Sequence, residues 1–430
     1  MKPWEIITLL ETDNSRLFKE SVIRQQAENN NDEFFSGLLY ALDKLITFGV
    51  KQVPHTDYDG PGVNWDEFKD LLDCLKNRVL TGHAARDAIQ NIADLSTIDQ
   101  WQNWYRRILL KDLRCGVSEK TVNNVVKKSN TKYTIPVFTC QLAFDGEDHD
   151  SKMIGEKILE NKLDGVRVLT IAHPGQEVTQ FSRNGKELIN FEAVRKQIAI
   201  AAKQLDQPYV FDGEIMDSNF QDLMKQVHRK ENVNTDGAVL HLFDMIPLKD
   251  FSAGICHIKQ KDRSKQLKEW FENSLLPFTN VTVVEQEYVN LSTKEGKARF
   301  NEINEIAIQG GYEGILIKDP NAPYELKRST AWLKKKPIIT VDLTIKYIEE
   351  GTGRNLDRLG AFVCEGVDNN RNIKVNCGSG FSDDQRINYW ESRDELIGRT
   401  VEVIADAVTK NQDGTYSLRF PRFKGFRDDK

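Results

Sequence analysis

The chain has no apolar run near the ~18 residues that a membrane-crossing helix requires, so no spanning segment is expected. Its first residues, Met1-Lys-Pro-Trp-Glu-Ile, hold no basic stretch followed by an apolar one, which argues against a secretory leader. The six cysteines, at 74, 115, 140, 256, 364 and 377, form no CxxC pair. A zinc ribbon or thioredoxin-like site is therefore not expected. Scattered thiols in so long a chain point to a reducing compartment, the cytoplasm. No GxxxxGK followed by Ser or Thr occurs, which excludes a P-loop. Gly351-x-Gly353 and Gly378-x-Gly380 lack a third glycine in register, and the seven histidines show no HExxH spacing. Nor is there an excess of positive charge. Net charge is −6, which disfavours nucleic-acid binding unless the cations are grouped.

What is present exceeds one compact core. The 430 residues are 39% apolar and 29% charged, the mix of a folded, solvated protein of two or three domains. Residues 1–132 read as helical: Leu9, Leu17, Phe18, Val22 and Ile23 are helically spaced, as are Phe35, Leu38, Leu39, Leu42 and Leu45. The spacing of Trp101, Trp104, Tyr105, Ile108 and Leu109 predicts a helix over 97–114, opened by a Thr97/Gln100 capping box. Gly116 suits a helix end and Ser118 the N-cap of the next. Residues 133–337 alternate strand-like stretches (166–171, 209–215, 239–243, 281–289 and 314–317) with helical ones (260–271 and 297–309). Residues 338–430 carry nearly all strand signals, with hairpin turns at Asp368-Asn-Asn370 and Asp413-Gly414. A five-stranded barrel such as an OB-fold suits this last unit.

The helical region is not uniform in charge. From Trp101 to Lys132 the cations are Arg106, Arg107, Lys111, Arg114, Lys120, Lys127, Lys128 and Lys132, against only Asp112 and Glu119. Two readings fit. One is a phosphate-contacting surface of Arg106, Arg107, Lys111, Arg114, Gly116, Ser118 and Lys120, with a helix N-terminus at Ser118 aimed at a phosphate. The other is an ordinary solvated helix–turn–helix.

The sharpest chemical signal is Glu160-Asn-Lys162-Leu-Asp164-Gly165-Val-Arg167, where a helix-like stretch gives way to a strand. A lysine amine becomes a covalent nucleophile where desolvation or neighbouring cations favour its neutral form. A surface Lys-Asp turn is the plainer alternative. In order there follow Ser182-Arg183-Asn184-Gly185, Phe211-Asp212-Gly213-Glu214, Phe243-Asp244, Glu313-Gly314-Ile-Leu-Ile-Lys318 and Lys327-Arg-Ser-Thr-Ala-Trp332-Leu-Lys334-Lys-Lys336. The chain closes on Arg419-Phe-Pro-Arg422-Phe-Lys-Gly-Phe-Arg427-Asp-Asp-Lys430. Glu214 and Glu313 offer hard oxygen ligands suited to Mg²⁺. Lys334 and Lys336 are two apart, so a strand turns both to one side, fit either to grip a phosphate or to line a solvated edge.

This ordered set resembles the six motifs of the covalent nucleotidyltransferase superfamily, and above all the ATP-dependent DNA ligases. The motifs span about 160 to 430. Lys111-Asp-Leu-Arg114-Cys-Gly116-Val-Ser118-Glu-Lys120 is similar to the phosphate-binding turn of the ligases' helical DNA-binding domain, and the layout resembles that of T-even bacteriophage ligases. The resemblance implies an all-α DNA-binding domain at 1–132, an α+β nucleotidyltransferase (adenylation) domain at 133–337 and a C-terminal β-barrel OB-fold at 338–430. It implies that Lys162 is the nucleophile that takes AMP from ATP, with Asp164 positioning the lysine or metal and Lys334 and Lys336 on the α-phosphate. Glu160 would bond the adenine amine and Phe243 stack on the base, unless Phe243 is a core aromatic. Arg167 and Arg183 would hold sugar or nick phosphate. Lys318, Arg419, Arg427 and Lys430 would also meet the nucleotide, and Glu313 and Glu214 would bind Mg²⁺ or Mn²⁺, with Glu214 alternatively on the ribose. The implied partner is nicked duplex DNA, encircled by a monomer, in replication, repair and recombination. RNA ligases and mRNA-capping guanylyltransferases share the first motif and are the rival enzymes. A nucleic-acid-binding module with an inactive core is the non-enzymatic rival. No CxxC pair and no nicotinamide-binding segment are seen, so ATP rather than NAD is the expected donor.

Overall fold

The computed structural model describes the chain apart from residues 51, 130, 218, 219, 228, 230, 232, 275, 276, 311, 412, 413 and 428–430, and the side chains of 128, 129 and 220–222. Lys430, and Asp413 of the second expected turn, lie outside the described residues. The chain divides into two compact units. The first comprises residues 1–142, 164–284 and 320–331, and the second 143–163, 285–319 and 332–430.

In the first unit every described element before residue 142 is helical. Helices Pro3–Glu11, Arg16–Glu28, Asp32–Leu42, Trp65–Lys76 and Gly82–Leu95 pack their apolar faces around Trp101, Trp104, Tyr105 and Ile108. The expected 97–114 helix starts where its cap predicts, since Thr97 Oγ1 accepts from the Gln100 N–H at 3.2 Å. The capping box does not close. The Gln100 side chain is drawn to the Val63 backbone and the Tyr105 hydroxyl instead. The helix then widens to π geometry over Trp101–Tyr105 and ends at Leu109, five residues early. Lys111 and Arg114 follow at φ 55° and 57°, which no helix continues through. Helix Glu119–Ser129 begins after Ser118, as the sequence predicts.

The remainder of this unit is built around a five-stranded sheet ordered Thr179–Ser182, Val166–Ala172, Tyr209–Met216, Val239–Pro247, Val281–Val283. The first three pairings are antiparallel and the last is parallel. The stretch expected as one strand over 281–289 is two, and its second piece, Glu287–Asn290, belongs to the other unit's sheet. The buried pair Arg263–Asp244 fastens helix Gln260–Glu272 to strand Val239–Pro247 at 2.8 Å, and Gln260 adds a bond to the same carboxylate.

The second unit holds a sheet in which Ile315–Lys318 lies antiparallel between Arg328–Lys335 and Glu156–Asn161. It also holds a curled seven-stranded sheet formed by residues 339–426. Its order is Ala407–Lys410, Tyr416–Arg419, Arg371–Cys377, Leu359–Asp368, Ile339–Glu350, Thr400–Ala405, Arg422–Phe426. A bridge from Ser379 to Arg422 turns the far edge back. Alternation along these strands buries Val341, Leu343, Ile345, Phe362, Val401 and Val403 in one core. The Asp368–Arg371 hairpin turns through Asn369 and Asn370, both at positive φ, as expected. The five-strand, nearly all-β expectation needs correction: among the described residues there are seven strands and, besides the short Arg393–Leu396, a helix, Asp383–Glu391, opened by a Ser382/Gln385 capping box. No residue of that helix is fully buried, so it leaves no apolar stripe in the sequence.

Candidate active site

Lys162 follows directly on strand Glu156–Asn161, where the sequence alone points to a helix-like stretch. Its N–H donates to the Gly314 carbonyl at 2.9 Å, and its own carbonyl accepts from the Glu313 N–H at 3.0 Å. The ladder between Glu156–Asn161 and Ile315–Lys318 thus runs on to bring two quoted motifs side by side. Gly314 permits this because φ is +100° there and a Cβ would lie 2.0 Å from the Lys335 carbonyl oxygen. Lys162 Nζ pairs with Glu313 Oε2, and Arg419 Nη2 holds Glu313 Oε1 at 2.8 Å. One carboxylate therefore stands between the expected nucleophile and the first arginine of the closing motif.

Two residues back along the same strands, Glu160 and Lys318 form a second pair at 2.6 Å, with 3% and 0% of their surfaces exposed. Gln286 donates to the other Glu160 oxygen at 2.8 Å, and Lys318 lies 4.4 Å from the Trp332 ring centre. Lys334 and Lys336 line one cavity of about 840 Å³, as their spacing predicts. Lys334 ends 4.0 Å from Asp145, while Lys336 bonds Asp406 at 2.8 Å and Arg422 shares that carboxylate at 3.2 Å. Burial would raise the Asp406 carboxyl, but Lys336 and Arg422 outweigh it and hold it below its ordinary value. Arg427 is bound within its own sheet, to Asp342 and Glu402 at 3.2 Å each.

The first unit carries the other expected residues. Gly165 donates its N–H to Glu214 Oε1 at 3.2 Å. A Cβ at Gly165 would lie 2.1 Å from the Ile215 carbonyl oxygen, so the turn after Asp164 tolerates glycine alone. Asp164 itself is half-buried. Arg167, paired in register with Glu214, grips Asp212 bidentately at 2.6 and 2.7 Å, and Tyr324 donates to the same carboxylate at 2.6 Å. Burial works against the Arg167 charge, yet Asp212 prevails and holds it firmly protonated. The Arg167 guanidinium lies 4.6 Å from the centre of the buried Phe243 ring. Arg183 projects from the exposed turn after Thr179–Ser182.

Asp212, Tyr324 and the Arg263–Asp244 pair were not singled out from sequence. Asp212 and Asp244 stand inside quoted motifs, but only the strand register reveals their partners. Glu214 belongs to the first unit and Glu313 to the second. Among the described residues no three His, Cys, Asp or Glu side chains converge on a common metal position.

The basic helical segment splits. Arg114 and Lys120 are exposed around Gly116 (φ +67°) and Ser118. Arg106 instead donates to the Pro54 carbonyl at 3.1 Å, and Arg107 pairs with Glu11 at 2.7 Å. Lys111 turns inward onto the carbonyls of Tyr40 and Asp43 at 2.8 and 2.7 Å, and burial pushes it down to about 7. Its amine serves the fold rather than an outward phosphate surface.

Two family models match, "ATP dependent DNA ligase domain" over residues 140–336 and "DNA ligase OB-like domain" over residues 350–427. A solved structure named Pmar-Lig_PreS3 is 50% identical over 99% of both chains, with a TM-score of 0.68. The chain belongs to the ATP-dependent DNA ligase family. DNA ligase 2 of Methanosarcina mazei is 30% identical over 66% of this chain and 54% of its own length. The chain thus spans about half the length of the curated relatives it matches. A Lig E DNA ligase, 21% identical over 68% of this chain and 100% of its own with a TM-score of 0.51, shares the fold. At the level of family these likenesses decide for the DNA ligases over the RNA ligases and capping enzymes. The adenylation and OB-like regions are those of the family. No helix among the described residues is long and apolar enough to cross a membrane.

Proposed function

We propose that this chain seals nicks in duplex DNA with ATP, through an AMP-lysine at Lys162. Lys162 Nζ attacks the α-phosphorus of ATP, a P–N bond forms and pyrophosphate leaves. AMP then passes to the 5′-phosphate of the nick, and the 3′-OH displaces it as the phosphodiester closes. The observation that carries this reading is the Lys162–Glu313–Arg419 arrangement. The nucleophilic amine must shed a proton before attack, and Glu313 is the base in contact with it.

Glu313 and Glu214 are the carboxylates that would hold Mg²⁺ or Mn²⁺. Their hard oxygens fit an ion that leans mainly on water and phosphate oxygens. That ion would neutralise phosphate charge. Lys334, Lys336, Arg419, Arg427 and Lys430 are assigned to the ATP phosphates, and Glu160, Phe243 and Lys318 to the adenosine side. Asp164, Arg167 and Arg183 are assigned to positioning the lysine, the sugar and the nick phosphate. Arg114, Gly116, Ser118 and Lys120 face the DNA backbone. In this reading residues 1–132 form a DNA-binding domain, 133–337 the adenylation domain and 338–430 the OB domain, as in T-even phage ligases. The monomer encircles DNA in the cytoplasm, in replication, repair and recombination.

The test is sealing of a nicked DNA duplex with ATP and Mg²⁺, run beside an RNA nick and beside GTP. Sealing of the DNA nick with ATP supports the reading. Sealing confined to RNA, or a GMP adduct in place of AMP, would overturn it.

A further inference from the structure

Lys19 lies outside every motif. It belongs to helix Arg16–Glu28 and is only 5% exposed, yet among the described residues its amine meets no hydrogen-bond acceptor and no carboxylate at ion-pair distance. The amine sits at the turn before helix Glu119–Ser129, where a Cβ on Gly116 would stand 2.5 Å from Lys19 Nζ. Gly116 is itself exposed, at φ +67°, so bare backbone borders the amine on its outer side. Lys19 Nζ is not among the side-chain nitrogens sealed from solvent without a partner. Its charge is felt at the turn: burial raises the Cys115 thiol, and Lys19 is one of the influences pulling it back. Glu11, whose charge also reaches Cys115, is spent on Arg107 at 2.7 Å.

The turn has donors to spare as well. Thr121 N–H donates to Ser118 Oγ at 3.4 Å, and Ser118 N–H to Thr121 Oγ1 at 3.3 Å. The N–H groups of Gly116, Glu119 and Lys120 have no acceptor among the described residues. The eleven-residue helix adds the partial positive charge of its N-terminal end. The acids of the turn are Asp112 and Glu119, and Asp112 lies 3.6 Å from the exposed Arg114. A buried cation without an anion is costly, and a purely structural lysine would recover that cost by pairing. A neutral carbonyl would satisfy the donors and leave the charge. An oxyanion meets both needs.

We propose that Lys19 and the backbone of the Gly116 turn form a phosphate site whose occupant is a backbone phosphate of duplex DNA. Arg114 and Lys120 carry exposed charge beyond it, which a polyanion engages and an isolated phosphate does not span. The DNA occupant rests on the proposed ligase function. The site rests on Lys19.

The test uses the full chain with Lys19→Met and Lys19→Gln, and an intact duplex as probe, so that binding is read apart from sealing. The amine has no partner in the fold to lose, so the melting midpoint of Lys19→Met should hold or rise, with self-adenylation by ATP unchanged. In both variants the log–log salt slope of duplex affinity should be shallower by about one. Inorganic phosphate replacing chloride at equal ionic strength should shift the wild-type midpoint no more than those of the variants. A phosphate-dependent rise lost in the variants, with equal salt slopes, would assign the site to free phosphate and overturn the DNA occupant. Midpoints lowered in both variants would show that the amine serves the fold, and would overturn the site. Equal slopes with no response to phosphate, in a wild type that seals nicks, would overturn the site and leave the ligase reading standing. A wild type that seals no nick, but whose slope falls on replacing Lys19, would keep the site and remove the ligase reading.

Discussion

Glu313 holds two cations at once, and one of them is the lysine proposed as the nucleophile. Replacing Lys162 by alanine should abolish the AMP adduct, seen as loss of label after denaturing electrophoresis. Closure of a nick already carrying 5′-AMP should persist in part, because that step makes no bond to lysine. An adduct in this variant would remove Lys162 from its role. A second residue gives a pH dependence. The His173 imidazole, pushed down to about 4 by burial and Arg78, stays neutral in the fold. Between about 4 and its ordinary value the unfolded chain binds a proton that the native chain does not. Stability should therefore fall as pH drops from about 6.5 to about 4, by up to roughly 3 kcal/mol. His173→Gln should flatten urea-denaturation midpoints across that window. An equal slope in the variant would show that the group does not titrate so. At this scale the sequence, through its ordered motifs, brought forward Lys162 and Glu313, which the strand register sets in contact. It was least legible at Lys111, whose inward turn depends on carbonyls of Tyr40 and Asp43 some seventy positions away.

Between residue and domain, strand register makes the site. Gly165 and Gly314 mark the two close approaches, to Ile215 and to Lys335. Gly314→Ala must pay both a positive φ and a backbone clash, so self-adenylation should drop more than 100-fold, on the order of 3 kcal/mol in barrier or lost fold. Wild-type adduct rates in this variant would contradict the register described. Arg263→Met leaves Asp244 buried with its charge unpaired, which should destabilise the first unit by about 3–5 kcal/mol. Chemical denaturation measures this, and an unchanged midpoint would show the pair to be dispensable. In the mixed region apolar runs marked Val166–Ala172, Tyr209–Met216, Val239–Pro247 and Ile315–Lys318, and Thr97 marked a helical cap, but the strands Leu142–Asp145, Glu156–Asn161, Thr179–Ser182 and Arg328–Lys335 were not marked. The break of the 281–289 run and the early end at Leu109 were not marked either. Both involve long-range partners: a second sheet claims Glu287–Asn290, and past Leu109 the chain turns at Lys111, at positive φ, whose amine bonds the Tyr40 and Asp43 carbonyls.

For the whole molecule, the helical region has a core of its own, from Ile6 to Ile135, separate from the core beneath strands Val166–Ala172 and Tyr209–Met216. Removing residues 1–132 should therefore weaken nick binding and flatten its salt dependence while self-adenylation survives. An unchanged slope would show that Arg114 and Lys120 are merely solvated. The order of motifs made the family readable from sequence. The helix inside the curled sheet was not, because Asp383–Glu391 buries no residue fully. The central claim is that AMP rides on Lys162 from ATP to a DNA nick. It is tested most directly by a chase: the chain is loaded with α-labelled ATP, freed of nucleotide, and mixed with nicked duplex. The account predicts label on Lys162 that leaves the protein as one nick per adduct is sealed, with no label taken from NAD. Label retained on the protein, or nicks sealed by a chain that never carried label, would contradict it.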